Sequence, residues 1–265
     1  METDYQKILS QFDNIDPKRY GRTRNFIDGA VTRLSPYISR GVISTKQVLE
    51  SLIAKGIYPL SVEKFVQELA WRDYWQQLGI VHGNAILEDL HHAQEDVRQG
   101  GIPAAIVDGT TGIEGIDKEI HSFYETGYMH NHVRMYVAGL VCNIGRCDWK
   151  QGARWMYYYL LDADWASNSL SWQWVAGTSR NRQYIANQDN VNKYCRTKQA
   201  GTFLDVDYPT LANIAVPAEL EAIIPVNSPV YLPETKKPVL DPNKSTAVYT
   251  PYNLDPVWRT DETMH

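Results

Sequence analysis

The stretch that decides the fold is Asp162-Ala163-Asp164-Trp165-Ala166-Ser167-Asn168-Ser169-Leu170-Ser171-Trp172-Gln173-Trp174. Two acids open it, an Asn sits at its middle and three Trp punctuate it. Acids at the start suit a helix N-terminus, where the aligned peptide dipoles favour negative charge. Asn168 and Trp172 are four apart, so a helix stacks them on one face. Ser167, Ser169 and Ser171 are small and leave room for something flat to approach. By itself the stretch also reads as a buried, Trp-rich helix with an acidic cap.

A second stretch lies upstream: Gly127-Tyr128-Met129-His130-Asn131-His132-Val133-Arg134-Met135, in which Asn131, Arg134 and Met135 share a helical face. Two further blocks precede it, Thr32-Arg33-Leu34-Ser35-Pro36-Tyr37 and Glu68-Leu69-Ala70-Trp71-Arg72-Asp73-Tyr74-Trp75. Together the four ordered blocks resemble the flavin-binding domain of the photolyase/cryptochrome family. Its corresponding segments read roughly Gly-Trp-Met-His-Asn-x-x-Arg-Met and Asp-x-Asp-x-Ala-x-Asn-x-x-x-Trp-Gln-Trp. The resemblance implies an all-α fold, a photolyase-type FAD-binding helical bundle, over residues 1–204. It implies FAD as the cofactor, and DNA with pyrimidine dimers, single- or double-stranded, as the partner.

The same resemblance distributes roles over the residues. Thr32, Arg33, Leu34 and Ser35 match the segment that holds the FAD pyrophosphate, with Tyr20 a nearby cofactor residue and Arg72 a phosphate contact. Arg134 pairs with Asp162 beside the flavin ring, and Asp164 binds the ring edge or ribose. Asn168 faces flavin N5, where an amide supports the reduced anionic flavin that repair requires. Glu68, Trp71, Asn131, His132, Met135 and Trp174 match substrate positions: Glu68 bonds a thymine, and Trp71 and Trp174 stack on the lesion. Enzymes for (6-4) photoproducts carry His where this chain has Asn131 and Met135, which points to cyclobutane dimers. Trp172 and Trp149 match the inner and middle members of an electron wire. Between Trp75 and Trp149 the sequence has no Trp, so the outer member is absent from its usual place. Two functions stay open: light-driven repair of pyrimidine dimers, and cryptochrome-like sensing of light or redox state.

Read without that resemblance, each block has a plainer meaning. Ser35-Pro36 predicts a helix start with Ser as the cap. Residues 61–82 predict an amphipathic helix on which Glu68, Trp71 and Arg72 share a face. Residues 83–113 read as irregular connections. Lys118–Thr126 predicts a helix stopped by Gly127, and Gly152–Leu161 another.

Net charge is −5 over 265 residues, which does not advertise a nucleic-acid binder. The charge is uneven, however: residues 130–200 hold nine Lys/Arg against four Asp/Glu, so that segment is +5 and the remainder −10. A local basic face can meet phosphates on an acidic protein. Three cysteines form no CxxC pair, which fits a reducing, cytoplasmic setting and argues against a metal or iron–sulfur site. No apolar run approaches the roughly 20 residues that span a membrane. Nine of the 13 prolines lie beyond residue 205, so residues 205–265 read as a Pro-rich extended tail that straps onto the bundle. The antenna domain that usually precedes the flavin domain in this family has no counterpart in this sequence.

Overall fold

A computed structural model describes residues 1–230, 234–235, 239, 241–243, 246, 248–250 and 252–256. Twelve α-helices are built over the described residues. An N-terminal group comprises α1 (Tyr5–Ser10), α2 (Pro17–Thr23), α3 (Ser35–Ser39), α4 (Thr45–Ala54) and the long α5 (Glu63–His82). A second group comprises α6 (Ala104–Asp108), α7 (Glu114–Thr126), α8 (Asn131–Gly139), α9 (Trp149–Tyr159), α10 (Trp165–Ala176), α11 (Gln188–Cys195) and α12 (Tyr208–Ala212). Two-residue strands, β1 (Ile102–Pro103) and β2 (Ile223–Ile224), pair antiparallel. The fold is all-α in character.

The helix boundaries follow local chemistry. Asp4, Asp16, Asp148, Asp164, Asn187 and Asp207 each place a side-chain oxygen on a free N–H of the first turn, the usual device for satisfying those donors. Ser44 and Gln47 form a reciprocal capping box at α4. Gly127 and Gly177 end α7 and α10 in the left-handed conformation. The expected Ser35 cap is not formed. Ser35 is the first helical residue of α3, its N-cap is Leu34 with no side-chain cap bond, and the Ser35 hydroxyl bonds Asp162 instead. The hydroxyl donates to that carboxylate, and Ser35, already inside the helix, sits one residue too late to cap it.

Three apolar clusters hold the chain. The largest gathers α6–α11 around Phe123, Val137, Trp149, Trp155, Met156 and Trp172. The N-terminal cluster centres on Ile8, Leu34, Leu52 and Phe65. A small third cluster, Ile86, Ala166 and Leu170, joins α5 to α10. Helix α10 packs on α9, α5 and α8, so it buries residues on several sides rather than along one stripe. Helix α5 departs from the amphipathic expectation: of its twenty residues only Phe65 is fully buried. Arg72, Asp73, Gln76 and Gly79 of this helix line a cavity shared with the start of α10.

Beyond residue 204 the chain is not uniformly extended. Leu211 and Leu220 are buried in the large cluster, and Arg98 donates to the carbonyls of Leu220 and Glu221, both at 2.8 Å. The residues read as a strap in the sequence that include Tyr231, Leu232, Leu240 and Trp258 lie outside the described residues. The stretch 83–113, read as irregular, contains β1 and α6. Short elements of two to five residues leave too few periods to be seen in sequence.

Candidate functional site

The site begins with Asp164. As N-cap of α10, its Oδ1 accepts from Ser167 N at 2.7 Å, while Oδ2 accepts from Gln76 of α5 and lies 3.8 Å from Arg72 Nη2. Arg72 Nη2 is buried with no hydrogen-bond partner, and so is Ser167 Oγ. A buried guanidinium nitrogen without an acceptor is costly. It marks a place where an acceptor is wanted. Arg72, Gln76 and Asp164 line a cavity of about 630 Å³ between the α3–α4 turn, α5 and the start of α10. That size falls within the roughly 300–1,000 Å³ of ligand pockets.

Beside the cavity, Asp162 accepts twice from Arg134 Nη2, each at 3.0 Å. Arg134 Nε also donates to Met129 O at 2.8 Å, which fixes the guanidinium plane. Burial raises the Asp162 pKa; the Arg134 charge, the Ser35 and Arg134 hydrogen bonds and the Arg72 charge outweigh it and hold the carboxyl below its usual value. Arg33 lies 4.8 Å from the Tyr128 ring centroid and Arg134 6.0 Å from it. Arg33 has φ +55°, a conformation rare for a non-Gly residue and one that clusters at functional sites. Thr32 Oγ1 accepts from Leu34 N at 3.4 Å, and Leu34 is buried. Thus the structure brings Thr32–Ser35, Arg72, Arg134, Asp162 and Asp164 to one seam. Tyr20 packs edge-on against Phe65 at 5.0 Å, and burial raises its hydroxyl pKa.

Asn168 Nδ2 donates to Ala153 O of α9 at 2.9 Å. With the amide nitrogen spent on the neighbouring helix, Oδ1 is left as the acceptor end. One turn later Trp172 is 2% exposed and Trp149 1%. Trp172 lies against Gly152 so closely that a Cβ there would sit 2.4 Å from its ring. Trp149 Nε1 donates to Asp89 Oδ1 at 2.7 Å.

The residues matched to substrate positions lie towards the surface. Trp71 is 49% exposed and stacks on Trp75 at 5.3 Å. Glu68 Oε1 accepts from Arg24 Nε at 3.2 Å. Asn131 is exposed and begins α8, whereas Met135 is half-buried against the core. Trp174 carries Arg180 over its ring, 3.5 Å from the centroid, and Arg180 Nε donates to Trp174 O at 3.3 Å. His132 packs edge-on against Tyr136 and Tyr194. Burial, then the charges of His130 and Arg24, push its pKa down to about 4, so it is neutral near pH 7 and offers no cation to a phosphate. Sequence reading missed Arg24, Gln76, Tyr128 and Arg180. The last lies in the loop after α10, outside the four blocks; the run Arg22-Thr23-Arg24 was the one visible signal for Arg24.

Among the described residues no helix is long and apolar enough to cross a membrane, and no cluster of His, Cys, Asp or Glu could hold a metal ion.

Residues 65–228 match the FAD binding domain of DNA photolyase. The chain is 35% identical over 150 residues to the deoxyribodipyrimidine photo-lyase of Streptomyces griseus, covering 56% of this chain and 32% of that relative. It is 32% identical over 193 residues to the cryptochrome DASH of Ostreococcus tauri, covering 67% and 35% respectively. The chain therefore spans about a third of the length of these relatives. Its fold is similar to that of a class III photolyase from Agrobacterium tumefaciens, with a TM-score of 0.62 at 23% identity over 78% of this chain and 53% of that one. The chain belongs to the photolyase/cryptochrome family, as its FAD-binding domain.

Proposed function

We propose that this chain is a blue-light-driven flavoprotein of the photolyase type that repairs cyclobutane pyrimidine dimers in DNA. Three features of the seam fit FAD. The cavity has the size of a ligand pocket, Arg72 Nη2 wants an acceptor of the kind a phosphate supplies, and Asp164 Oδ2 faces it as an acceptor for hydroxyl or amine donors. When bound, FAD supplies the light absorption and the electron that splits the cyclobutane ring.

The residues supply binding and electrostatics. Arg72 and the Thr32–Ser35 turn hold phosphate, and Asp164 takes donors from the sugar or base. The Arg134–Asp162 pair presents a fixed dipole beside the flavin ring. The observation that carries the repair reading is the Asn168 amide. Pinned through Nδ2 to Ala153 O, it offers a neutral acceptor to a protonated ring nitrogen and adds no charge of its own. Trp71 is half-exposed on α5, Asn131 is exposed at the start of α8 and Met135 is half-buried on the same helix; a lesion flipped from duplex or taken from single strands would stack on Trp71. Arg24, held by Glu68, and Arg180, stacked on Trp174, are the cations beside substrate-matched residues and would meet the DNA backbone.

A second reading, cryptochrome-like sensing without repair, is supported by two contacts and one charge state. Arg24 already engages Glu68, Arg180 covers one face of Trp174, and His132 is neutral. The deciding assay irradiates photoreduced protein with dimer-containing single- and double-stranded oligonucleotides. Light-dependent loss of dimers supports repair. Bound FAD with no dimer loss on either substrate refutes it in favour of sensing.

A further inference from the structure

The FAD cavity has a wall that none of the four sequence blocks supplies. Helix α5, the start of α10 and the α3–α4 turn form most of the cavity, and Tyr252 and Asp255 supply the remaining wall. These two residues are far from the rest in sequence, yet their short segment is anchored on four separate elements. Tyr252 OH and Tyr157 OH of α9 are 3.0 Å apart. Leu254 N donates to Arg40 O at 3.2 Å. Asp255 is 8% exposed and accepts from Tyr5 OH of α1 at 3.3 Å and from Gln47 Nε2 of α4 at 3.2 Å. The backbone fits closely as well: Gly41 has φ +59°, and a Cβ there would lie 2.2 Å from Tyr252 O. Only glycine lets the segment lie this close.

We propose that residues 252–256 are the removable wall of the cofactor cavity, so that FAD enters and leaves when this segment lifts. The proposal rests on the reading of the cavity as the FAD site. The geometry supports lifting as much as closure. Tyr252 is 52% exposed, so the segment covers the cavity from outside and is not part of an apolar core. Its anchors are hydrogen bonds that water can replace one by one, one close backbone contact, and the Arg40 guanidinium 5.8 Å from the Tyr252 ring centroid. Asp255 also sets the chemistry of this end. With Asp73 and Asp164 it gives the cavity three carboxylates against the guanidinium of Arg72. An acceptor-rich wall suits hydroxyl and amine donors, such as those of a ribose or an adenine, and disfavours a phosphate. The segment therefore covers the sugar-and-base end of a dinucleotide, with the phosphates directed towards Arg72.

The test measures FAD dissociation from the loaded full chain by the recovery of flavin fluorescence on dilution. Wild type is compared with Tyr252→Phe, Tyr252→Ala and Asp255→Ala. The expected result is release faster by roughly tenfold in the two alanine variants, the effect of losing one or two hydrogen bonds that hold a closed state. Tyr252→Phe keeps the ring and should release FAD faster than wild type but more slowly than Tyr252→Ala. On wild type itself, FAD should slow chymotryptic cleavage after Tyr252. Equal release rates in wild type and both alanine variants, or cleavage indifferent to FAD, overturn this proposal alone. A wild-type chain that takes up no FAD overturns it together with the reading of the site.

Discussion

Arg134 gives one nitrogen, Nη2, to both carboxylate oxygens of Asp162, each at 3.0 Å. The pair ties α8 to the turn before α10, and Asp162 is almost wholly buried. Removing one partner of such a pair leaves the other charge buried and uncompensated, which typically costs about 3–5 kcal/mol. Arg134→Ala should lower unfolding stability by about that amount, and Asp162→Asn by less, because the amide oxygen still accepts from Arg134 and the charge left behind, on Arg134, is less buried than Asp162. Urea denaturation of the FAD-free forms measures both. A loss in Arg134→Ala smaller than in Asp162→Asn would show that an uncompensated buried carboxylate is not what destabilises the variant.

Trp172→Phe should retain FAD but slow the blue-light reduction of bound oxidised flavin to near zero. The change keeps an aromatic of similar shape on Gly152 and removes the readily oxidised indole. Absorbance under illumination with an external reductant follows it. Reduction at the wild-type rate would send the electron by another route. The linked rings of Trp155, Tyr124, Tyr159 and Tyr158, with successive centroids 6.2, 4.8 and 4.9 Å apart, would be next to test.

The four blocks were legible because each keeps its chemistry in consecutive residues. Asp164, Asn168 and Trp172 stand one helical turn apart, and the fold only has to make the helix. What was not legible was pairing across the chain. Arg24 meets Glu68 over 44 positions, Gln76 meets Asp164 over 88, and Asp255 meets Tyr5 over 250. No local period records such contacts. Ser35 shows the same limit in miniature: as a Ser before Pro it reads as a cap, and its hydroxyl meets a carboxylate far along the chain. Helix α11 was missed because its sequence, Gln188–Cys195, is mostly polar and is shaped by its Asn187 cap.

His130 and His132 predict an acid sensitivity. Burial first, and then neighbouring cationic charge, push both imidazoles down to about 4. Their unfolded value is about 6.5. A depressed folded pKa means the stabilisation is fully present above pH 6.5 and is lost as pH falls towards 4. For the buried His130 this amounts to about 2 kcal/mol lost by pH 5. Asp162 also has a depressed pKa, but its contribution fails only below the carboxylate range, outside this window. His130→Asn keeps a side-chain acceptor for His132 N at the start of α8 and removes the titration. Its stability should fall less between pH 7.5 and pH 5 than that of wild type. Parallel curves would contradict the assignment.

The central claim is that the seam holding Arg72 and Asp164 is the FAD site, and equilibrium titration of the purified chain with FAD tests it most directly. The account predicts saturable binding of a single FAD per chain. Arg72→Ala and Asp164→Ala should each weaken it by about tenfold or more, since each removes a charged hydrogen-bonding partner from a largely buried site. A chain that binds no FAD, or variants that both bind it as tightly as wild type, would contradict the account.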